Sequence, residues 1–365
     1  MFKDTMTPSE RLMSLYQTGW ADRPGAGAFA MGFVPKQHRG MTIGECYKDP
    51  VIFAKAFLPV QMLYGFDTGP LFGHACAGAA EYGGELSYPG ANSRAQSPII
   101  VRHPITTPDA VDHMEVPDPA TAGEIEAWCR GARYVMENYP EGYKNPTVQA
   151  GDSFSNAGNV IGVETMLIWM LKQPDLVHKV LDNVSQFLID EVEYVLSTVG
   201  PVMFFDGGPT DSNDLISAQQ FEQFALPSLI KVRKGALKLG APAGFLCHPC
   251  GNQSNNAKLW AQVPASFGIN FDYRTPLPKI IDIFGKSTMV VGNIEPAKFM
   301  INSYDEIYKT TMDHLKLAAT KCQHGYVVGP GCELPVTTPP ANLFAMVSAA
   351  RDYAQTKEWQ ERKPK

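Results

Sequence analysis

Several common sequence signatures are missing from this 365-residue chain, and each absence removes a class of protein. There is no glycine-rich phosphate loop and no Gly-x-Gly-x-x-Gly run, so a dinucleotide-binding fold lacks its fingerprint. No apolar run approaches the roughly 18–20 residues that a membrane span needs. The nearest, Val51 to Tyr64, is short and carries Lys55. The opening Met-Phe-Lys-Asp-Thr-Met-Thr-Pro has no apolar core of the kind a signal peptide requires. Lysine and arginine form no cluster, and a formal net charge of −6 argues against a nucleic-acid surface. The seven cysteines are odd in number and follow no framework spacing, so reduced thiols in a cytoplasm are expected.

What is present describes a folded globular protein: 44% of residues are hydrophobic and 19% charged. The length suits two ordinary domains or one large α/β barrel. Helical spacing is clear at Ser9 to Tyr16 and clearest at Asp175 to Leu196, which Gly200-Pro201 stops. Ser217 with Gln220, and Ser303 with Glu306, read as capping boxes, with Pro227 a break in the first of these helices. Thr338-Pro339 reads as the start of a last helix. Between the helices lie short β-rich runs at 146–150, 202–205, 243–247, 267–271, 288–291 and 326–328, with a seventh near Met62 to Phe66. Strands alternating with helices indicate parallel βαβ units. Six or seven of them, after an N-terminal helical extension of about 60 residues, fit a single-domain (β/α)8 TIM barrel better than an open sheet.

The chemistry-bearing residues centre on Cys247-His-Pro-Cys250 and on Cys332 in Gly-Pro-Gly-Cys-Glu-Leu-Pro. One imidazole with two thiolates is a soft donor set that suits zinc, and three protein ligands leave a fourth position open for catalysis. On a strand, residues two apart share a face, so His248 and Cys250 would point together and Cys247 away. The bland alternative is two buried thiols and an ordinary histidine. Asp67, Asp206, His248, Asp272, Asn293 and Cys332 are each expected just past the C-terminal end of a strand, where barrel active sites are built. Aspartate after a strand is also a common turn or capping residue.

At this point the chain resembles the uroporphyrinogen decarboxylase superfamily along nearly its whole length. The resemblance is carried by Thr7-Pro-Ser-Glu-Arg-Leu, Ala21-Asp-Arg-Pro, the block from Asp214 to Pro227, Val291-Gly-Asn-Ile-Glu-Pro and the block from Gly331 to Leu343. It implies a distorted (β/α)8 barrel. Asp67 resembles the pocket aspartate of the decarboxylases, but their arginine-rich N-terminal block is not recognisable and Pro330 stands in place of their late histidine. The zinc pattern of the corrinoid-linked methyltransferase branch, His-x-Cys and then a distant Gly-Cys, matches His248, Cys250 and Cys332.

That resemblance implies transfer of a methyl group between a corrinoid and a zinc-activated thiol or a methylated substrate. No Asp-x-His-x-x-Gly run is present, so the corrinoid is expected on a separate small protein. Glu164, Asp206, Asp272 and Glu295 are candidates for a fourth ligand or for a partner of His248, with Asp206 preferred as that partner. Competing readings are demethylation of a methoxylated aromatic, a decarboxylase-like lyase, and a non-enzymatic tetrapyrrole- or partner-binding barrel.

Overall fold

The computed structural model describes residues 3–91, 93, 95–241 and 244–364. In chain order the strands are β1 (Gly25–Ala26), β2 (Leu71–Phe72), β3 (Glu85–Ser87), β4 (Ile99–Arg102), β5 (Thr147–Gln149), β6 (Met203–Gly208), β7 (Phe245–Pro249), β8 (Ser266–Ile269), β9 (Met289–Val291) and β10 (Tyr326–Val328). β3 and β4 form an antiparallel hairpin. The other eight make one parallel sheet in the order β1-β10-β9-β8-β7-β6-β5-β2, with helices in the connections. This is a barrel with one loose seam. Among the described residues no strand ladder joins β1 to β2; instead the Asp67 N–H donates to Ala26 O at 2.8 Å and the Ala28 N–H to Thr68 Oγ1 at 3.1 Å. The expected distortion is that seam.

Local chemistry explains most of the elements. The helix Pro174–Thr198 buries Val177, Val180, Leu181, Val184, Leu188, Val192 and Val195 on one stripe. Each such burial contributes about 1.5–3 kcal/mol, which fixes this helix on the outside of the sheet. Capping boxes form at Ser217/Gln220 and at Ser303/Glu306, as their spacing predicts. Pro227 breaks nothing. A π turn over Phe221–Ala225 runs into the helix Leu226–Lys238, which places Pro227 in a first turn, where its missing N–H is not needed.

Two corrections concern the N-terminal third. The run Met62 to Phe66 is not a strand: Asp49 caps and Pro50 starts a helix that continues to Tyr64. The strand follows it at Leu71–Phe72, so Asp67 precedes a strand rather than ending one. The first barrel strand, Gly25–Ala26, lies inside the N-terminal 60 residues, which therefore supply a stave of the barrel besides packing on it. Among the described residues no helix is long and apolar enough to cross a membrane. Ala243, expected in β7, lies outside the described residues.

Candidate metal centre

β7 delivers the first ligand. His248 is its fourth residue, and Cys250 follows directly after its end. Alternation along the strand sends Cys247 to the opposite face, where its sulfur accepts from Arg233 Nη2 at 3.0 Å. Cys332 sits in the loop after β10. Ligand atoms of His248, Cys250 and Cys332 all lie within 4.8 Å of one another. The two sulfurs are 3.9 Å apart. Two thiolates bound about 2.3 Å from a tetrahedral zinc would be separated by about 3.8 Å. The residues present fit the metal.

The surroundings orient this set. The His248 Nδ1–H lies 2.7 Å from Asn270 Oδ1 and 2.9 Å from Asn270 O, both acceptors. Asn270 is itself fixed, because its Nδ2 donates to Val291 O at 3.1 Å. A donating Nδ1 leaves Nε2 with its lone pair free for a metal. After Cys250 the chain turns back at Gly251, whose φ of +71° suits glycine. That turn lets Gln253 donate to Cys250 O at 3.1 Å and to the buried Asp211 Oδ1 at 2.8 Å.

The Cys332 loop is tied to the N-terminal segment: Leu334 N–H donates to Phe29 O at 2.8 Å, and Gly32 N–H to Glu333 Oε1 at 2.7 Å. Burial pushes the Glu333 carboxyl up to about 8. The rings of Phe29 and Phe205 pack on His248 at 5.4 and 6.0 Å between centroids.

The electrostatics favour one shared proton between the sulfurs. A hydrogen bond from Cys250 and the neighbouring His248 hold the Cys332 thiol far below its ordinary value, against burial. The same pairing, together with burial, drives Cys250 upward. Burial opposes charge on His248, yet the Cys332 sulfur and Asn270 raise its pKa. The trio is thus one electrostatic unit, poised to exchange protons for a cation.

The carboxylates separate cleanly. Asp272 Oδ2 is 3.8 Å from Cys250 Sγ, and burial raises its pKa. Glu164 is exposed in the first turn of the helix Val163–Lys172, and Glu295 is the residue before the helix Pro296–Ile301. Asp206 does not serve His248. It lies within β6 with its neighbour Phe205 facing the histidine, so Asp206 points outward and binds Arg233 Nε at 2.9 Å. Asp67 is likewise away from the cluster. Its carboxylate accepts from Arg11 Nη1 at 2.6 Å, Arg23 Nη1 at 2.7 Å and Ala26 N–H at 2.8 Å. Asp67 is held by two guanidinium groups and Asp206 by one, with Asp206 Oδ1 buried and unpartnered among the described residues, so both are committed to arginines rather than to the cluster. Asn270 escaped the sequence reading; its place directly after β8, whose Ile269 pairs with Cys247, is the signal that would have found it.

Comparison with known proteins follows this geometry. The methylcobamide:CoM methyltransferase of Methanosarcina acetivorans is 22% identical over 352 residues, 95% of this chain and 98% of that protein. The methylated-thiol–coenzyme M methyltransferase of Methanosarcina mazei is 28% identical over 202 residues; the match takes in 54% of this chain and about half, 51%, of that relative. A solved structure of a methyltransferase from Methanosarcina mazei superimposes with a TM-score of 0.78 at 19% identity, covering 95% of this chain and 98% of that one, and so shares the fold. The family described as Uroporphyrinogen decarboxylase (URO-D) matches residues 23–353. That span runs from before β1 to beyond β10 and includes all three residues of the cluster, and the chain belongs to the uroporphyrinogen decarboxylase family.

Proposed function

We propose that the chain is a zinc-dependent methyltransferase that moves a methyl group between a corrinoid, carried by a separate small protein, and a thiol held at His248, Cys250 and Cys332. The observation that carries this reading is the convergence of one imidazole and two sulfurs within 4.8 Å at the C-terminal end of the barrel strands. Full-length similarity to a methylcobamide:CoM methyltransferase supports the corrinoid as methyl carrier and a thiol as acceptor.

Zinc at this site would deprotonate a bound thiol, whose pKa is otherwise about 8.5, and present it as a nucleophile at neutral pH. The protein supplies the rest. Cys250 and Cys332 would bring negative charge that keeps the incoming sulfur electron-rich, and Asn270 holds His248 by Nδ1, which leaves Nε2 free to hold the ion. Asp272, 3.8 Å from Cys250 Sγ, would supply a displaceable fourth ligand, and its carboxylate, made more basic by burial, would accept the proton of an incoming thiol. Phe29 and Phe205 wall the histidine from below and exclude water there. A decarboxylase reading is disfavoured by the same structure: Asp67 is locked between two arginines, and Pro330 offers no proton to move.

The test is metal analysis followed by a methylcobalamin assay against coenzyme M, other thiols and methoxylated aromatics. One zinc per chain and methylation of a thiol are expected. Cys250→Ser and Cys332→Ser should each lower zinc content and methyl transfer together, while Asp272→Asn should retain zinc and slow thiol uptake. Full zinc and full activity in both cysteine variants would overturn the proposal.

A further inference from the structure

Cys250 and Cys332 differ from the other five cysteines in two ways. Cys46, Cys76, Cys129, Cys247 and Cys322 are buried, whereas Cys250 and Cys332 are partly exposed. Their sulfurs also face each other at 3.9 Å, although 82 positions separate them in the chain. Cys247 is close to Cys250 in sequence but not available to it: its sulfur lies 3.0 Å from Arg233 Nη2 and 3.2 Å from Ser266 Oγ. Oxidation of cysteine follows exposure, so an oxidant arriving from solvent meets these two sulfurs first.

The remaining travel is short. A disulfide is about 2.05 Å long, so the two sulfurs must approach by about 1.9 Å, shared between two side chains that each turn about a Cα–Cβ bond. The backbone beside each is pinned: Gln253 Nε2 donates to Cys250 O at 3.1 Å, and Leu334 N–H to Phe29 O at 2.8 Å. The sulfurs themselves are held less firmly, Cys250 Sγ having only the long contact to Asp272 Oδ2 at 3.8 Å besides Cys332.

We propose that Cys250 and Cys332 form a reversible redox switch: a hydroperoxide joins them as a disulfide that empties the metal centre, and a dithiol reopens it. The bond stands on the geometry of the pair, and its consequence rests on the zinc reading. In the first step one sulfur attacks the peroxide; an S–O bond forms, the O–O bond breaks, and an alcohol or water leaves with the thiol proton. In the second, the neighbouring sulfur attacks the sulfenic acid, and its hydroxyl leaves with the second thiol proton as water. Two thiols and one hydroperoxide give a disulfide, an alcohol and water, with two electrons passing from sulfur to oxygen. A sulfenic acid without a thiol nearby goes on to sulfinic and sulfonic acids, which thiols do not reverse; a partner at 3.9 Å intercepts it. Zinc is bound by thiolates, so the disulfide removes two of the three protein ligands and leaves His248 alone.

Hydrogen peroxide titration of the full chain, metal-free and zinc-loaded, tests this, with free thiols counted, peptides mapped by mass spectrometry and released zinc read with a chromogenic chelator. In the metal-free chain two of the seven thiols should be lost and one peptide linking Cys250 to Cys332 should appear. Dithiothreitol should restore both thiols. The cross-linked chain should take up no zinc until it is reduced, and the zinc-loaded chain should release one zinc per disulfide formed. In Cys250→Ser and in Cys332→Ser the remaining sulfur should pass to sulfinic or sulfonic acid, beyond recovery by dithiothreitol. Sulfinic acid at these positions in the wild-type chain, a cross-link to any other cysteine or between chains, or undiminished zinc uptake after cross-linking would overturn the switch. A chain that binds zinc but forms no disulfide overturns the switch alone, whereas failure to bind zinc before any oxidation overturns the metal reading and the switch with it.

Discussion

Replacing Asp67 with asparagine separates the structural role of this carboxylate from the catalytic role that its place in the sequence suggests. Its side chain is fully buried and holds Arg11 and Arg23, whose own side chains are only 1% exposed. Removing one partner from a buried ion pair typically costs about 3–5 kcal/mol, because the other charge is left uncompensated. Here the loss falls at the lower end. Arg11 keeps Asp22 at 2.6 and 2.9 Å, and Arg23 keeps Asp4 at 3.3 Å and two backbone carbonyls at 3.0 Å. A loss of about 3 kcal/mol is expected, which is a factor of roughly 10² in the unfolding constant. Equilibrium unfolding in urea reads this as a lower midpoint, while zinc content and methyl transfer per folded chain stay near wild type. A stability change under about 1 kcal/mol would refute the neutralised-knot account. Lost activity in a stable, zinc-loaded Asp67→Asn protein would restore Asp67 to the reaction.

Two further outcomes follow from named contacts. Asn270→Ala leaves His248 only the backbone carbonyl at 2.9 Å, and loss of such an outer partner weakens metal binding about 10–100-fold; chelator competition measures it, and unchanged affinity would show that the carbonyl alone orients the ring. Asp152 is wholly buried, and burial reinforced by Asp206 pushes its carboxyl up to about 7. The folded chain then keeps a proton that the unfolded chain releases near pH 4, so stability is greatest below that pH, falls up to pH 7 and levels off above it. Asp152→Asn, which preserves the cap on Ser155, should make the urea midpoint less pH-dependent over this window, by up to about 1.4 kcal/mol per pH unit; an unaltered slope would sink the assignment.

The long periodic helix, the capping boxes and six of the barrel strands were legible because each rests on a local pattern. Gly25–Ala26 and Leu71–Phe72 were not, since two residues carry no periodicity. Their pairing is imposed by the neighbours β10 and β5. The convergence of His248, Cys250 and Cys332 was legible from residue type, from the family resemblance and from strand alternation, which turns Cys247 from His248. The same alternation, applied to β6, sets Phe205 inward and Asp206 outward, and register pairs Gly207 with His248. That Asp272, unlike Glu164 and Glu295, lies beside Cys250 needed three dimensions, because it depends on how the loop after β8 meets Cys250.

Charge balance is what distinguishes the cluster from the aspartates set aside. Asp67 faces two guanidinium groups and Asp206 faces Arg233, so each buried negative charge already has its cation. Cys250, Cys332 and Asp272 have no guanidinium, and His248 alone offsets their charge. Among the described residues no lysine or arginine side chain contacts them, and Arg274, the nearest in sequence, is turned to Asp214 at 2.6 Å. Two thiolates and a carboxylate left in this half-buried pocket would repel one another, and the protein answers by retaining protons: Cys250 and Asp272 are both shifted upward. A divalent cation would remove that conflict, releasing the protons and matching the charge that the fold leaves open. Asp67 and Asp206 each receive a guanidinium from the polypeptide, whereas Cys250, Cys332 and Asp272 share only His248.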